Sequence, residues 1–521
     1  MKIKIVSTSD VHGYIYPTNF TSRNDYHGLG YLKAGAVIEK IRRQAEQDGD
    51  IVLYVEDGDF VEGSPMTDYA YQTCDEKHYN LDLVKMVNHL QADVGILGNH
   101  EFNYGPDYLN PTLADRNYPI LNANMQEGPD YHIIDAPYKI IEKNGVRIGV
   151  LGLTTQYIPH WEQPDHIKGW KFEPALKAAQ KYVPELRKKA DIVVVAYHGG
   201  FERDLATGEP TESLTGENEG YQLLTEVPGI DALVTGHQHR QIAEVVNGIP
   251  TTQPGFRGEK VGCITLELND QKQVIGSKAE LIDTADADEE MWMNALTADW
   301  RNDVEDWIDQ TLKTIDGDME IHDPLQARLH GHAYLDLVNK VEMDATGADI
   351  AGTALFNDEV TGLGHEVTIR NVMNSYVYPN TLVVEKITGK DLKAALERCA
   401  SFFEVGEDGK LSVSKDFSYP KMQLYNYDYY SGIDYTFDLR QPQGHRVTEL
   451  KYHDKDVQDT DELNVAINQY RAVGGGDYPM YSMDKMVKQV ENEMPRMIIA
   501  YLQKHPEIKA VQPTNLKIIM K

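Results

Sequence analysis

The sequence is poor in cysteine and in positive charge. Three cysteines in 521 residues, Cys74, Cys263 and Cys399, are widely spaced and odd in number. That excludes a disulfide framework and a CxxC metal knuckle, and leaves them as buried thiols. Lysine and arginine total 50 against 82 acidic residues, a formal charge of −32. Such a chain does not grip a nucleic-acid polymer by its phosphates, and any anionic ligand has to be attracted locally. No apolar run approaches the roughly 20 residues of a membrane helix, so no membrane partner is expected. Met1 leads straight into the strand-like KIKIVST, without a basic region and an apolar stretch of about 7–15 residues after it. The chain as given therefore reads as cytoplasmic, or as secreted or cell-surface if its numbering starts at a mature terminus.

What is present is a series of short runs rich in valine and isoleucine: KIKIVST, DIVLYVED, ADVGILG, VRIGVLGLT, ADIVVVAYHG and DALVTGH. They have the character of buried strands. Helical patterns such as YLKAGAVIEKIRRQAEQ and LDLVKMVNHLQ lie between them, which predicts an α/β sheet. At roughly 150 residues per domain the length allows two to four domains. Charged periodic sequence from Asp286 to Leu312 runs into the polar turn TIDGDMEIHDP, ending at Pro324. Domains over 1–315 and 325–521 are expected on either side of this turn, the second again mixing strands and helices.

Residues able to bind metal fall at the carboxyl ends of the inferred strands. Asp10 and His12 follow IVSTS, Asp59 follows LYVEDG, Asn99 and His100 follow GILG, His198 follows VVVAY, and His237 and His239 follow ALVTG. The crevice beyond the carboxyl strand ends is where open α/β sheets bind ligands. Taken singly, Asp-x-His or His-x-His is an ordinary surface or capping arrangement; five clusters in order at strand ends converge on one place. Two aspartates, an asparagine and four histidines offer mixed nitrogen and oxygen ligation, enough for two ions sharing a bridging carboxylate. That mixture suits Mn, Fe, Ni or Zn better than Mg or Ca. Two divalent ions less two aspartates leave a local charge of about +2, which suits a phosphate ester.

The motifs DVH, GDFVEG, GNHEF, YHGG and GHQH, followed by YPNTL, YNYDYYSGIDY and NQYRAVGGGDYP, resemble those of the two-domain calcineurin-like metallophosphoesterases of the 5'-nucleotidase and 2',3'-cyclic-nucleotide 2'-phosphodiesterase family. The likeness spans nearly the whole chain. It implies an αββα dimetal domain followed by a 5'-nucleotidase-type α+β substrate-binding domain. It further implies that Asp10, His12 and His239 hold one ion, that Asn99, His198 and His237 hold the other, and that Asp59 rather than Asp57 bridges them. Glu101 is expected to bond nearby backbone. His100, directly after a metal-binding amide, is placed to polarise a phosphoryl group or protonate a departing alkoxide.

In the 5'-nucleotidase branch an aspartate commonly stands three residues after this histidine, whereas this chain has Asn103. The cyclic-phosphodiesterase branch is similar in HEFNYG itself, which favours cyclic and 3'-nucleotides as substrates, with a 5'-nucleotidase or nucleotide-sugar hydrolase, or a non-catalytic nucleotide sensor, as alternatives. Asn103 is expected to orient His100 without adding charge. By the same resemblance Tyr425 and Tyr470 stack on the two faces of a base, although with 31 tyrosines in the chain most are packing residues. In the run Gly474 to Gly476, Gly475 would allow close approach of a ribose, with Asp477 as a hydroxyl acceptor. The arginine with which relatives bind a 5'-phosphate is missing from TALFNDEV, where Arg370 or Arg471 are the substitutes at hand.

Overall fold

The runs IVLYVE and IVVVAYH are buried along their whole length, the pattern of strands covered on both faces. The computed structural model describes every residue except 24, 161, 213, 377, 379, 407–409, 419–421, 491 and 521. It arranges the first part of the chain chiefly in two large sheets. One has seven strands, in the order Val274–Asp283, Lys260–Leu268, Lys2–Thr8, Ile51–Glu56, Val94–Gly95, Ile120–Leu121 and Ile134–Ala136. The other has six, in the order Gln241–Val246, Ile249–Pro254, Ala232–Thr235, Ile192–His198, Val146–Thr154 and Tyr138–Lys143.

Alternation along a single strand builds the layers. Ile192, Val194 and Ala196 share a core with Ile3, Ile5, Leu53 and Val55 of the opposite sheet. Val193, Val195 and Tyr197 point the other way, onto Ala179, Val183 and Leu186 of the helix Ala175–Arg187. The helix Tyr31–Asp48 packs against Ile51–Glu56 and Lys260–Leu268 of the first sheet. The result is helix, sheet, sheet, helix. Parallel pairing sets Thr8 beside Glu56, Glu56 beside Gly95, and Tyr197 beside Thr235. The carboxyl ends of neighbouring strands are therefore level within each sheet, and their loops emerge together.

The chain divides into the units Met1–Trp307 and Ile308–Lys521. Segment 314–324 contributes the strand Met319–Glu320, which pairs with Gly362–Leu363 inside the second unit. That unit has a five-stranded sheet ordered Asp428–Ser431, Ile350–Ala354, Glu462–Asn468, Leu382–Thr388 and Met486–Val490. The helix Ala333–Thr346 packs on this sheet. A four-stranded sheet of Lys455–Asp456, Val447–Tyr452, Asp434–Asp438 and Leu516–Ile519 completes an α+β arrangement. Among the described residues, no helix is long and apolar enough to cross a membrane.

The two arginines available as phosphate anchors are both spent inside the second unit. Arg471 and Asp428 are each 1% exposed. The guanidinium reaches the two carboxylate oxygens at 2.7 and 2.9 Å, and its carbon lies 3.9 Å from the centre of the Tyr478 ring. Arg370 is buried and pairs through Nε with Asp309. Neither arginine is disposed to meet a phosphate, because each already neutralises a carboxylate. Replacing Arg471 with methionine leaves Asp428 buried and unpaired, which should destabilise the fold by about 3–5 kcal/mol. Urea unfolding of the variant against the parent protein measures this.

Candidate dimetal centre

Two groups of side chains meet where the level strand ends open. Asp10, His12 and His239 each place a ligand atom within 4.8 Å of the others, and Asp59, His198 and His237 form a second such group. Asn99 joins the second, with Oδ1 2.9 Å from His237 Nδ1. Asp59 faces both groups: its Oδ2 is 3.1 Å from His198 Nε2 and 3.9 Å from His12 Nε2. Its Oδ1 accepts from the backbone N–H of His100 at 2.8 Å. Asp57 belongs to neither group, although its carbonyl accepts from Ser9 Oγ and His198 Nδ1. All seven residues that the sequence offers as ligands are thus brought together.

The rings are held so that one nitrogen of each points into the cluster. His12 donates from Nδ1 to the Glu62 carbonyl at 3.0 Å, and His198 donates from Nδ1 to the Asp57 carbonyl. A carbonyl can only accept, so these bonds fix which nitrogen faces inward. In His237 the roles are reversed: Nε2 meets Glu217 Oε1 at 3.0 Å and Nδ1 faces the cluster. His239 stacks flat on Phe256, with its Nε2 2.9 Å from His12 Nε2 and 3.5 Å from Asp10 Oδ1.

The electrostatics set the charge of each group. Burial pushes His12 down to about 3 and His239 well below the usual imidazole value, so both rings are neutral near pH 7. Burial raises Asp10 to about 6. Burial also opposes ionisation of Asp59, yet His198, His100 and His12 together hold it well below the usual carboxylate range. For His198 burial works downward, and Asp59 and Asp10 more than offset it. Asp59 Oδ2 and His198 Nε2 are buried, with each other as the polar partner at 3.1 Å. The neutral imidazoles of His12 and His239, converging with ionisable carboxylates and the further rings of His198 and His237, fit divalent cations with mixed nitrogen and oxygen ligation.

This convergence holds the backbone in an unusual conformation. The φ angles at Asp10, His12, Asp59, His237 and His239 are 54°, 51°, 55°, 71° and 55°, a left-handed region that costs a non-glycine residue on the order of 1–3 kcal/mol. Glycine is required close by: a Cβ on Gly98 would lie 2.1 Å from Asp59 Oδ1, and one on Gly236 would lie 2.1 Å from Ser9 Oγ and 2.8 Å from Asp10 Oδ2. Glu101 fixes the loop that carries Asp59. Its Oε2 accepts from Gly98 and Asp59 N–H at 2.6 and 2.8 Å, and its Oε1 accepts from Phe60 and Val61 N–H at 2.7 and 3.3 Å.

His100 opens a short helical turn, His100–Phe102, and its ring lies edge-on to His12 at 5.1 Å. Its Nδ1 is 2.7 Å from Asn103 Oδ1. Asn103 is thus placed to orient the ring, as expected, but it is joined by a carboxylate: Glu62 Oε2 lies 3.2 Å from the same nitrogen. Sequence reasoning missed Glu62, although it stands within GDFVEG. Glu217, the partner of His237, lies in TGENEG, a loop without a recognisable signal.

In the second unit Tyr425 and Tyr470 are neighbours, with ring centres 6.3 Å apart and planes at 67°. The rings therefore meet edge to face and are not parallel plates around a gap. Gly475 packs beneath Tyr470, where a Cβ would come within 2.6 Å of the ring. Asp477 pairs with Arg398 at 3.2 Å.

Comparison with known proteins places these features in context. The calcineurin-like phosphoesterase family model matches residues 3–241, and the 5'-nucleotidase C-terminal domain model matches residues 314–483. The 2',3'-cyclic-nucleotide 2'-phosphodiesterase/3'-nucleotidase of Salmonella typhimurium is 28% identical, over 91% of this chain and 81% of the relative. The protein of the same name from Haemophilus influenzae is also 28% identical, over 91% of this chain and 80% of the relative. A solved structure of a candidate 5'-nucleotidase from Staphylococcus aureus is 41% identical, covers 99% of this chain and 100% of its own, and superposes with a TM-score of 0.71.

If Asp59 serves both groups, Asp59→Asn should lose bound metal and turnover together. Elemental analysis after Mn loading, run beside an activity assay, checks this. An unchanged metal content in an active variant would overturn the bridging role.

Proposed function

The chain belongs to the calcineurin-like phosphoesterase family, in the branch that carries a 5'-nucleotidase C-terminal domain, and from that membership we propose a dimetal nucleotide phosphoesterase acting on 2',3'-cyclic nucleotides and 3'-nucleotides. The observation that carries this reading is Asp59, one buried carboxylate facing two separate ligand groups at the ends of level strands. Asp10, His12 and His239 would hold one ion, and Asn99, His198 and His237 the other. Mn, Zn, Fe or Ni suits these donors. Held by these residues, a pair of ions would supply positive charge to attract a phosphate ester and would lower the pKa of water.

The chain's own groups do the remaining work. Backbone strain and the Glu101 clasp hold the ligands in place before substrate arrives, which limits reorganisation during the reaction. His100 stabilises the phosphoryl group and gives a proton to the departing oxygen, with Asn103 orienting its ring. In the second unit, Tyr470 is 42% exposed and with Tyr425 forms the aromatic platform for the base. Stacking of this kind tolerates any base. Turning one ring face toward the other would convert their edge contact into a clamp. Gly475 keeps the floor under Tyr470 thin, and Asp477 is the ribose hydroxyl acceptor.

Cyclic and 3'-nucleotides are favoured by HEFNYG, by the buried pairing of Arg370 and Arg471 with carboxylates, and by the names of the Salmonella and Haemophilus relatives. A 5'-nucleotidase is the second reading, favoured by the 41% identity to the Staphylococcus protein. A non-catalytic sensor is disfavoured by the complete ligand set.

A Mn-supplemented panel of 2',3'-cyclic, 3'- and 5'-nucleotides decides between the two catalytic readings by kcat/KM, and turnover of none favours the sensor. In the same panel Tyr470→Ala should raise KM for nucleotides by roughly one to two decades, from about 1–3 kcal/mol of stacking. Hydrolysis of the base-free ester bis-p-nitrophenyl phosphate should change little.

A further inference from the structure

The loops GDFVEG and GNHEF are tied to each other in both directions. Glu101, from the second loop, accepts the backbone N–H groups of Asp59, Phe60 and Val61 in the first. Glu62, from the first, puts Oε2 3.2 Å from His100 Nδ1 in the second. The Glu62 side chain is only 3% exposed. A buried carboxylate is retained at a cost of several kcal/mol unless it meets a partner, and the geometry sets the His100 ring beside this one. Asn103 contributes a different kind of contact to the same nitrogen. Its Nδ2 donates to Glu162 Oε2 at 2.7 Å, which turns its Oδ1 toward His100. An aspartate at 103 would instead face the Glu162 carboxylate at that distance, so the acid at this ring has to come from elsewhere.

We propose that Glu62 is the acidic partner of His100: it completes, from the GDFVEG loop, a histidine–carboxylate pair to which Asn103 adds only an amide acceptor. The inference rests on the reading of His100 as the residue that meets the phosphoryl group. A carboxylate and an amide oxygen both directed at Nδ1 fix that nitrogen as the one bearing hydrogen. Nε2, on the opposite edge of the ring, is then the nitrogen presented to substrate. The carboxylate also stabilises the ring while it carries its second proton, as the aspartate of a serine-protease triad does. Glu62 acts through His100 and is a positioning residue. Its backbone carbonyl separately holds His12, a contact that a side-chain substitution leaves in place.

A double-mutant cycle on the Mn-loaded full chain tests the assignment. Glu62→Gln should lower kcat on a nucleoside 3'-phosphate by roughly 10- to 100-fold, part of what a positioned acid contributes. Metal content by elemental analysis should be unchanged, and KM should move little. The loss should shrink on p-nitrophenyl phosphate, whose leaving group needs little protonation. In the His100→Ala background Glu62→Gln should have almost no further effect. Equal losses in the two backgrounds, equal losses on both leaving groups, or depleted metal would each show that Glu62 only supports the loop, and would overturn the proposal. Failure of the underlying reading looks different. If no nucleotide is turned over, the nucleotide assignment falls, while the cycle is still read on whichever phosphate ester the parent protein hydrolyses.

Discussion

Burial of negative charge is the constraint around which the first unit is organised. Asp10, Asp57, Asp59, Glu56, Glu62 and Glu101 are all 5% exposed or less, and all but Asp10 are borne on the loops GDFVEG and GNHEF or the strand end leading into them. Leaving such groups ionised in a dry environment is costly unless each finds compensation. The fold supplies it in distinct ways. Glu101 spends its oxygens on backbone N–H groups. Asp59 gathers imidazoles. Asp57 lacks such partners, and burial drives its carboxyl well above the usual carboxylate range. Asp10, raised to about 6 by burial, remains undercompensated within the ligand groups, and this is the electrostatic reason that cations suit the cluster.

The same constraint explains why the backbone is strained where it is. Left-handed φ angles recur at Asp10, His12, Asp59, His237 and His239, because a chain leaving a strand must turn sharply to aim its side chain at one point. The surrounding hydrogen bonds over-determine those turns: Asp10 N–H bonds the Gly58 carbonyl, His12 N–H bonds the Asp59 carbonyl, and His237 N–H bonds the Asp10 carboxylate. Neighbouring loops thus share their backbone contacts, and a shift in one displaces the others. A cluster built in this way is set before any ligand arrives, which is the property required of electrostatic preorganisation.

The second unit follows a different logic. Its core mixes aliphatic side chains with many aromatic rings, and it holds a fully buried ion pair, Arg471 with Asp428. What it exposes near that pair is Tyr470 on a short turn. A surface that recognises a base through π-faces needs little charge, and this matches a chain in which positive charge is scarce. Under the proposed function the first unit would carry the chemistry and the second would recognise the base.

The amino-acid sequence alone determined the strands, the order of the metal-capable residues and their place at strand ends. These are local properties: a run of β-branched residues specifies a buried strand, and the first polar residues after it mark where the strand stops. That Glu101 bonds nearby backbone was legible through its local contact with Gly98, whereas its contacts with Asp59, Phe60 and Val61, 42, 41 and 40 residues away, arose when the neighbouring strands paired. Which nitrogen of each imidazole faces inward, and that Glu62 rather than residue 103 brings the carboxylate to His100, were decided by tertiary structure. So were the edge-to-face arrangement of Tyr425 and Tyr470 and the internal use of Arg370 and Arg471. Each of these depends on where a side chain ends relative to groups far away in the chain. His198 and the Asp57 carbonyl are 141 residues apart, and His237 and Asp10 are 227 apart. No periodicity encodes such a meeting; it exists only once the two sheets have packed and their loops have been brought face to face.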